Sequence, residues 1–454
     1  MTDVLETDVV IGGGGIAGTA AAAALHRLGY RIVVIEPGQH DNRRLAGEVF
    51  HPPGVAGLAE LGLLTALHSG SAATINGFCV FSGNECIALP YDTVPAHSKP
   101  GLCIEHGLIR HRMMAAASAL PNVLVKQNSR VAAIEQNGTA GVVVTVVNGS
   151  ATTHYRCQML IAADGAPSRL ARLAGIDVQD RRISTAIGYG ISMQNLSRPE
   201  YGHVYLGAAT PILVYPIGNG QARVLFDVPY QAGRPVTAAD CLLLAAAMPP
   251  NLRDEVAKVI ATQRGISVAT KAITPESVVR GRVALVGDAG GSCHPLTATG
   301  MTMCISDALL LRDTLIAQHG DFTAALRLYE QRRRWPQATR LLLAEALRDA
   351  FIGASAEMRV VRSGILSHWQ SSASGRVATL ALLSTADGRP LALLRQIVAV
   401  MMRGLIVHLR SSRSNEKVAT AGIANALARN LFRHIRQILG GRHPPENQRG
   451  KLAH

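Results

Sequence analysis

Aromatic residues are scarce in this 454-residue chain: Phe, Trp and Tyr together make 4% of it. Grooves that hold single-stranded nucleic acid stack bases on aromatic rings, and no RRM, KH, helix-turn-helix or zinc-finger pattern offers another route. The net charge of +14 therefore does not imply a nucleic-acid partner. Cysteine is sparse as well. Cys79, Cys86, Cys103, Cys157, Cys241, Cys293 and Cys304 are odd in number, scattered and never arranged as CxxC, which excludes a disulfide framework and a zinc site and predicts a reducing compartment. The histidines show no ligand spacing, so no metal is expected. GxSxG, HExxH and paired-carboxylate patterns are missing, which removes the common hydrolase classes. The N-terminus, MTDVLETDVV, is acidic where a signal peptide is basic, and it predicts neither secretion nor an N-terminal span.

What is present is ample apolar material, 48% of residues, in a chain long enough for two or three domains. The strongest local signal is DVVIGGGGIAGTAAAAALHRLGYRIVVIEP, starting at Asp8. A short strand runs into Gly13, Gly15 and Gly18 in a GxGxxG frame. An alanine-rich helix follows, and a second strand ends at Glu36. Gly13 permits a tight turn, Gly15 lets backbone approach a pyrophosphate, Gly18 allows close helix packing, and Glu36 can accept ribose hydroxyls. Two more acids stand at strand ends: Asp164 in IAADGAPSRLARLAG, and Asp288, after Gly287, in RVALVGDAGGSCHPLTATGMTMCISDALLLRDTL. Asp288 can cap a helix, or it can take a ligand hydroxyl while nearby helix amides take an anion.

In the order GxGxxG, DG, GD the chain resembles the FAD-dependent monooxygenases of the para-hydroxybenzoate hydroxylase type. RLAGEVFHPPGVAGLAELGLL, HPLTATGMT with SDALLLRDTL, YGHVYLGAATPILVYPIGNGQARVLFDVP and LLLAEALRDAF resemble, more narrowly, the squalene monooxygenase family, over most of residues 8 to 410. That resemblance implies FAD held by Gly13, Gly15, Gly18, Glu36, Arg44 at the phosphates, Asp164, and Gly287 with Asp288 at the ribityl chain. It further implies Pro295 at the flavin edge, Gly300 and Met301 against the ring, and a helix from about Thr302 aimed at the flavin's negative end. Tyr91 in ALPYDT corresponds to the family's active-site tyrosine. Three departures stand out. His51 replaces the glutamine that hydrogen-bonds this tyrosine. Leu108 replaces an FAD-contacting arginine, leaving Arg110 as the substitute. The DG segment offers Arg169 and Arg172 on either side of the usual arginine position.

The implied activity is insertion of one atom of O2 into a lipophilic substrate, an isoprenoid or a prenylated or alkylated ring, by epoxidation or hydroxylation through a flavin C4a-hydroperoxide. Electrons would come from NADPH or NADH, directly or through a reductase. An aromatic hydroxylase of the quinone-biosynthesis type, a flavin-dependent prenyl reductase and a non-enzymatic flavoprotein scaffold are the alternatives. His51 and Tyr91 are expected to face one pocket at the flavin, with the histidine as a pH-sensitive partner.

The expected architecture is α/β: a Rossmann-like FAD domain from 1–75, 98–180 and 270–340, an inserted antiparallel β substrate domain from 76–97 and 181–269, and a helical region over 341–454. Beyond residue 340 there are sixteen Lys and Arg against six acids. LALLRQIVAVMMRGLIVHL is interrupted by Arg395 and Arg403, which favours a helix in the membrane interface over a spanning one. Ile423, Leu427, Leu431, Ile435 and Leu439 recur among Lys417, Arg429, Arg433 and Arg436 as a basic amphipathic helix. A cytoplasmic enzyme, peripheral on the cytoplasmic membrane face, is the resulting expectation.

Overall fold

The computed structural model describes residues 4–38, 45–68, 70–136, 141–411, 422, 425–429, 432–433 and 435–436. Four short apolar segments, Val9–Gly12, Ile32–Glu36, Met159–Ala162 and Val283–Leu285, are buried along their whole length. Strands covered on both faces read as continuous apolar runs, and these four form the centre of a six-stranded sheet. Its order is Val279–Arg280, Val283–Leu285, Met159–Ala162, Val9–Gly12, Ile32–Glu36, Val123–Gln127, parallel except for the first pair. Alternate residues serve opposite layers. Val9, Ile11, Ile32 and Val34 pack with the helices Ile16–His26, His106–Ser118 and Gly300–Ala317. Val10, Val33 and Ile35 pack against a four-stranded sheet of Val4–Glu6, Ala151–Cys157, Val142–Asn148 and Arg130–Gln136.

A second large sheet has seven strands in the order Ile266–Pro275, Val178–Ser192, Gln221–Pro229, Ile212–Gly218, Gly202–Leu206, Gly77–Ser82, Glu85–Pro90. All neighbours are antiparallel except Gly202–Leu206 and Gly77–Ser82. The central hairpin turns at Asn219 and Gly220, both at positive φ (53° and 69°), as a two-residue turn matched to strand twist requires. Helices Ala238–Ala245 and Pro250–Thr262 cover its outer face. The inner face meets the chain's last quarter, the helices Phe322–Ile352, Ala356–Ser371, Ala373–Leu383 and Pro390–Ser411.

Two of these helices cross very closely. A Cβ on Gly364 would lie 2.3 Å from the Val400 carbonyl oxygen, and one on Gly404 would lie 2.4 Å from that of Val360. Any side chain at either position would push the helices apart. Among the described residues Pro390–Arg410 is the one stretch long and apolar enough to cross a membrane, and 11% of its window is buried. Leu391, Met402, Ile406 and Leu409 form an exposed stripe along it, while Arg403 turns inward to hydrogen-bond Ser371. Of the basic amphipathic segment expected near the C-terminus, Leu427, Arg429, Arg433, Ile435 and Arg436 fall in described helical residues; Lys417, Ile423, Leu431 and Leu439 lie outside them. Leu427 is buried, and Arg433 pairs with Asp349 at 3.3 Å.

Candidate active site

The carboxyl ends of the parallel strands open into a cleft of about 510 Å³ between the two large sheets. Gly13, Gly15, Glu36, Arg110, Asp164, Asp288, Pro295, Gly300 and Met301 all line it. Gly13 sits at φ 111°, a turn only glycine makes without strain. A Cβ added to Gly15 would meet nothing within 4 Å, and this open space lies at the N-terminus of Ile16–His26, where backbone amides favour an anion. Gly18 and Gly287 lie beneath the wall: a Cβ on the first would stand 1.8 Å from the Gly13 carbonyl oxygen, and one on the second 2.8 Å from the Ala17 Cβ. Glu36 is oriented by the N–H groups of Gly14 (2.6 Å) and Gly38 (3.2 Å), with Arg110 at 3.8 Å. Open space at a helix N-terminus, an acid at the end of the second strand and an acid beside the far helix together fit a dinucleotide. Arg44 lies outside the described residues.

Asp164 borders the cleft, but its carboxylate accepts from Ser168 Oγ (2.6 Å), Arg169 N (2.8 Å) and Leu170 N (3.0 Å). These three bonds order the loop that presents it at the edge of the cleft. Arg169 donates to the Val131 carbonyl at 2.8 Å. The helix expected from Thr302 starts earlier, at Gly300, so Thr299, Gly300 and Met301 face the cleft.

The Asp288 loop is braced from behind. Asp307 accepts from the Gly287 N–H (2.8 Å) and from Arg333 Nε (2.8 Å) and Nη2 (2.9 Å), while Arg333 Nη1 donates to the Gly290 carbonyl (2.8 Å). Burial opposes the Arg333 charge, yet the Asp307 carboxylate more than offsets it and the guanidinium pKa is raised. Arg340 continues the brace, donating to the Gly291 carbonyl at 2.8 Å. Sequence reading missed all three. Arg333, Gln337 and Arg340 stand at i, i+4 and i+7 of one helix, a polar stripe that periodicity assigns to solvent and the fold turns inward.

Two further buried acids tie the cleft to the seven-stranded sheet. Glu48 receives Arg223 Nε (3.0 Å) and Nη2 (2.8 Å) as a fork and the Tyr215 hydroxyl (3.1 Å). Asp227 accepts from Ser184 Oγ (2.5 Å) and from His294 Nε2 (2.9 Å), whose Nδ1 accepts from the Leu296 N–H (3.2 Å). Serine bonds the acid here and not the imidazole, so this is no nucleophilic triad. It fixes the segment leading into Pro295.

The expectation that His51 and Tyr91 face the pocket needs correction: packing buries both one layer behind the cleft wall, 1% and 2% exposed. His51 Nε2 is 2.9 Å from the Thr297 carbonyl oxygen, which can only accept, so Nε2 carries the proton and Nδ1 accepts the Tyr91 hydroxyl at 2.7 Å. The pair thus holds the turn Pro295–Thr297, whose next residue, Ala298, is left-handed (φ 51°) and lines the cleft. His97 extends the chain, Nδ1 to the Tyr91 carbonyl (2.9 Å) and Nε2 to Ser384 Oγ (2.8 Å). A glutamine at position 51 could likewise donate to one neighbour and accept from the other.

The expectation of a pH-sensitive His51 needs correction. Burial pushes its pKa down to about 4, against the Thr297 hydrogen bond, which favours the charged form. It is neutral throughout the physiological range. Because the folded pKa lies below the unfolded value of about 6.5, the unfolded chain binds the proton first. This group's stabilisation is complete above about pH 6.5 and is lost as pH falls through about 4, by about 3 kcal/mol. Urea melts at stepped pH should show wild type losing stability over that window faster than His51→Gln; parallel curves would count against a buried neutral imidazole.

Related sequences and the same fold recur in known proteins. A sequence model of the family described as squalene epoxidase matches residues 156–420. Squalene epoxidase 3 of Arabidopsis thaliana is 30% identical over 417 residues, 88% of this chain and 78% of that enzyme. Squalene epoxidase erg1 of Schizosaccharomyces pombe is 25% identical over 89% of this chain and 92% of its own. Among solved structures, Klebsiella pneumoniae HpxO complexed with FAD and uric acid superposes with a TM-score of 0.68 at 24% identity, covering 85% of this chain and 98% of its own. The p-nitrophenol 4-monooxygenase PnpA of Pseudomonas putida superposes at 0.69 with 20% identity, covering 85% and 100%. Cleft, fold and relatives agree: this chain belongs to the squalene epoxidase family and is an FAD-dependent monooxygenase.

Proposed function

We propose that the enzyme epoxidises an isolated double bond of an isoprenoid or prenylated substrate taken from a membrane surface, with electrons from NADPH or NADH delivered directly or through a reductase. The upper wall of the cleft supports a hydrocarbon substrate. Leu45, Ala186, Leu213, Leu225 and Val268 line it, and they continue into the apolar cluster that includes Leu342, Leu347, Phe351 and Trp369 of the C-terminal helices. A phenol is helped by a base that removes its proton, whereas an alkene needs none. The buried acids near the cleft are already committed, Glu48 to Arg223, Asp227 to His294 and Asp307 to Arg333. That favours epoxidation over ring hydroxylation.

In this reading the amides around Gly13–Gly15 hold the pyrophosphate, Glu36 and Arg110 the adenosine end, and Asp288 the ribityl chain. Pro295, Gly300 and Met301 shape the wall beside the ring, and the positive end of the Gly300–Ala317 helix favours negative charge there. Bound FAD, once reduced, supplies activation of O2 and donation of an electrophilic oxygen. Tyr91 and His51 keep the Pro295–Ala298 wall in place and transfer no obligatory proton. Purified holoenzyme given NADPH, labelled O2 and either an acyclic isoprenoid alkene or an alkylphenol should consume NADPH faster with the alkene and place one label in an epoxide. Stimulation by the phenol alone supports ring hydroxylation. Saturation of the alkene without O2 supports a prenyl reductase, and FAD binding without turnover of either supports a scaffold.

The exposed stripe of Pro390–Ser411 supports peripheral contact with the cytoplasmic membrane face. Leu391, Met402 and Leu409 are 66%, 61% and 54% exposed at helical spacing, in a region rich in arginine. Such a face partitions into the interface while its cations attract anionic lipid. Replacing those three residues by glutamate should abolish sedimentation with anionic liposomes and leave the flavin spectrum intact, and added salt should weaken wild-type binding. Undiminished sedimentation of the variant would remove the membrane reading.

A further inference from the structure

Two of the seven cysteines meet on the outer face of the seven-stranded sheet. In the hairpin of Gly77–Ser82 and Glu85–Pro90, Phe81 stands opposite Cys86 and Cys79 opposite Ala88. Opposed residues share a face and every second residue returns to it. Phe78, Val80, Ile87 and Leu89 therefore enter the core beneath, while Cys79, Phe81 and Cys86 point the other way. There Cys79 and Cys86 are diagonal neighbours across the hairpin, near enough for each thiol to feel the other's charge. Cys79 is fully buried and Cys86 is exposed. Arg198 Nη1 lies 3.7 Å from the Cys79 sulfur.

The two thiols are unequal in the way a peroxide-reactive pair requires. The first sulfur to react must be reachable, and the second must lie within bonding reach of it. Cys86 is open to a small oxidant. Burial pushes the Cys79 thiol up to about 12, so it does not react first, while the adjacent guanidinium favours the thiolate it must become.

We propose that hydrogen peroxide converts Cys79 and Cys86 into a reversible disulfide. The Cys86 thiolate attacks one peroxide oxygen, the O–O bond breaks, and the departing hydroxide takes up the thiol's proton as water, leaving a sulfenic acid. The Cys79 sulfur then attacks the Cys86 sulfur; the S–S bond forms, the S–O bond breaks, and hydroxide leaves with the Cys79 proton as a second water. Two thiols and one peroxide give one disulfide and two waters, the sulfurs losing the two electrons the peroxide gains. A dithiol reductant reverses the change. Glu85–Pro90 is the edge strand and leads directly into Tyr91, so the cross-link would stiffen the strand that carries that tyrosine.

Holoenzyme treated with hydrogen peroxide, alkylated and cleaved after Phe81 without reduction should yield fragments joined through Cys79 and Cys86, and dithiothreitol should release them. Cys79→Ala should form no link and leave Cys86 trappable by dimedone; Cys86→Ala should leave Cys79 a thiol. Retained flavin absorbance certifies the fold of each variant, and the wild-type map decides alone if Cys79→Ala fails that check. A link from Cys86 to Cys293 or to a second molecule, or Cys86 driven to sulfinic acid beside an intact Cys79 thiol, would overturn the proposal.

Discussion

Asp307→Asn should cost about 3 to 5 kcal/mol of stability, because it leaves the Arg333 guanidinium charged and buried without its counter-ion. Both side chains are almost inaccessible, 1% and 2% exposed, so water cannot replace the lost carboxylate. The damage should extend to the cofactor, since Asp307 holds the Gly287 N–H and Arg333 the Gly290 carbonyl on either side of Asp288. Denaturant melts followed by flavin fluorescence should show an earlier transition and a protein that purifies with less FAD. The double variant Asp307→Leu with Arg333→Met should recover stability, because a packed apolar pair can substitute for a buried ion pair. It should not recover FAD retention, since the loop's backbone groups would still lack partners. A single variant as stable and as yellow as wild type would show that the brace carries no weight.

Glu48→Gln should be comparably costly, about 3 to 5 kcal/mol by the same mechanism, but with a different signature. Glu48 follows Gly47, where a Cβ would stand 2.9 Å from Met301 Cγ, whereas Arg223 and Tyr215 belong to the seven-stranded sheet. The pair joins the cofactor side of the cleft to the apolar side. Loosening it should let substrate sit less precisely over an otherwise intact site, so NADPH oxidation should persist while product falls and peroxide release rises. Arg223→Met should do the same, and a double-mutant cycle should give a coupling of about 0.5 to 3 kcal/mol, as contacting residues do. Additive effects would mean the two residues act separately.

Features that depend on neighbours in the chain were legible in the sequence. Strand, glycines, helix, second strand and Glu36 lie within one short segment, and Asp288 sits between a β-branched run and a glycine turn, so local periodicity placed both on the cleft. The braces were not legible. Glu48 and Arg223 are 175 positions apart, Asp227 and His294 67, Asp307 and Arg333 26. No local pattern marks a charge whose partner arrives through tertiary packing. His51 illustrates the same limit: a histidine before two prolines reads as a titratable turn residue, and only the layers around it force the imidazole to stay neutral.

His97 has a consequence for how the enzyme is made. Its imidazole joins the Tyr91 carbonyl to Ser384, whereas among the described residues the cleft lining is supplied by positions up to Arg340. Synthesis from the N-terminus therefore delivers these lining residues before the hydroxyl that anchors the strut behind them. The nascent enzyme passes through a stage in which the described cleft-lining residues have been made and the wall beside Thr297 still lacks its outer tie. The last helices are thus the final step in setting the geometry of a turn encoded near residue 90.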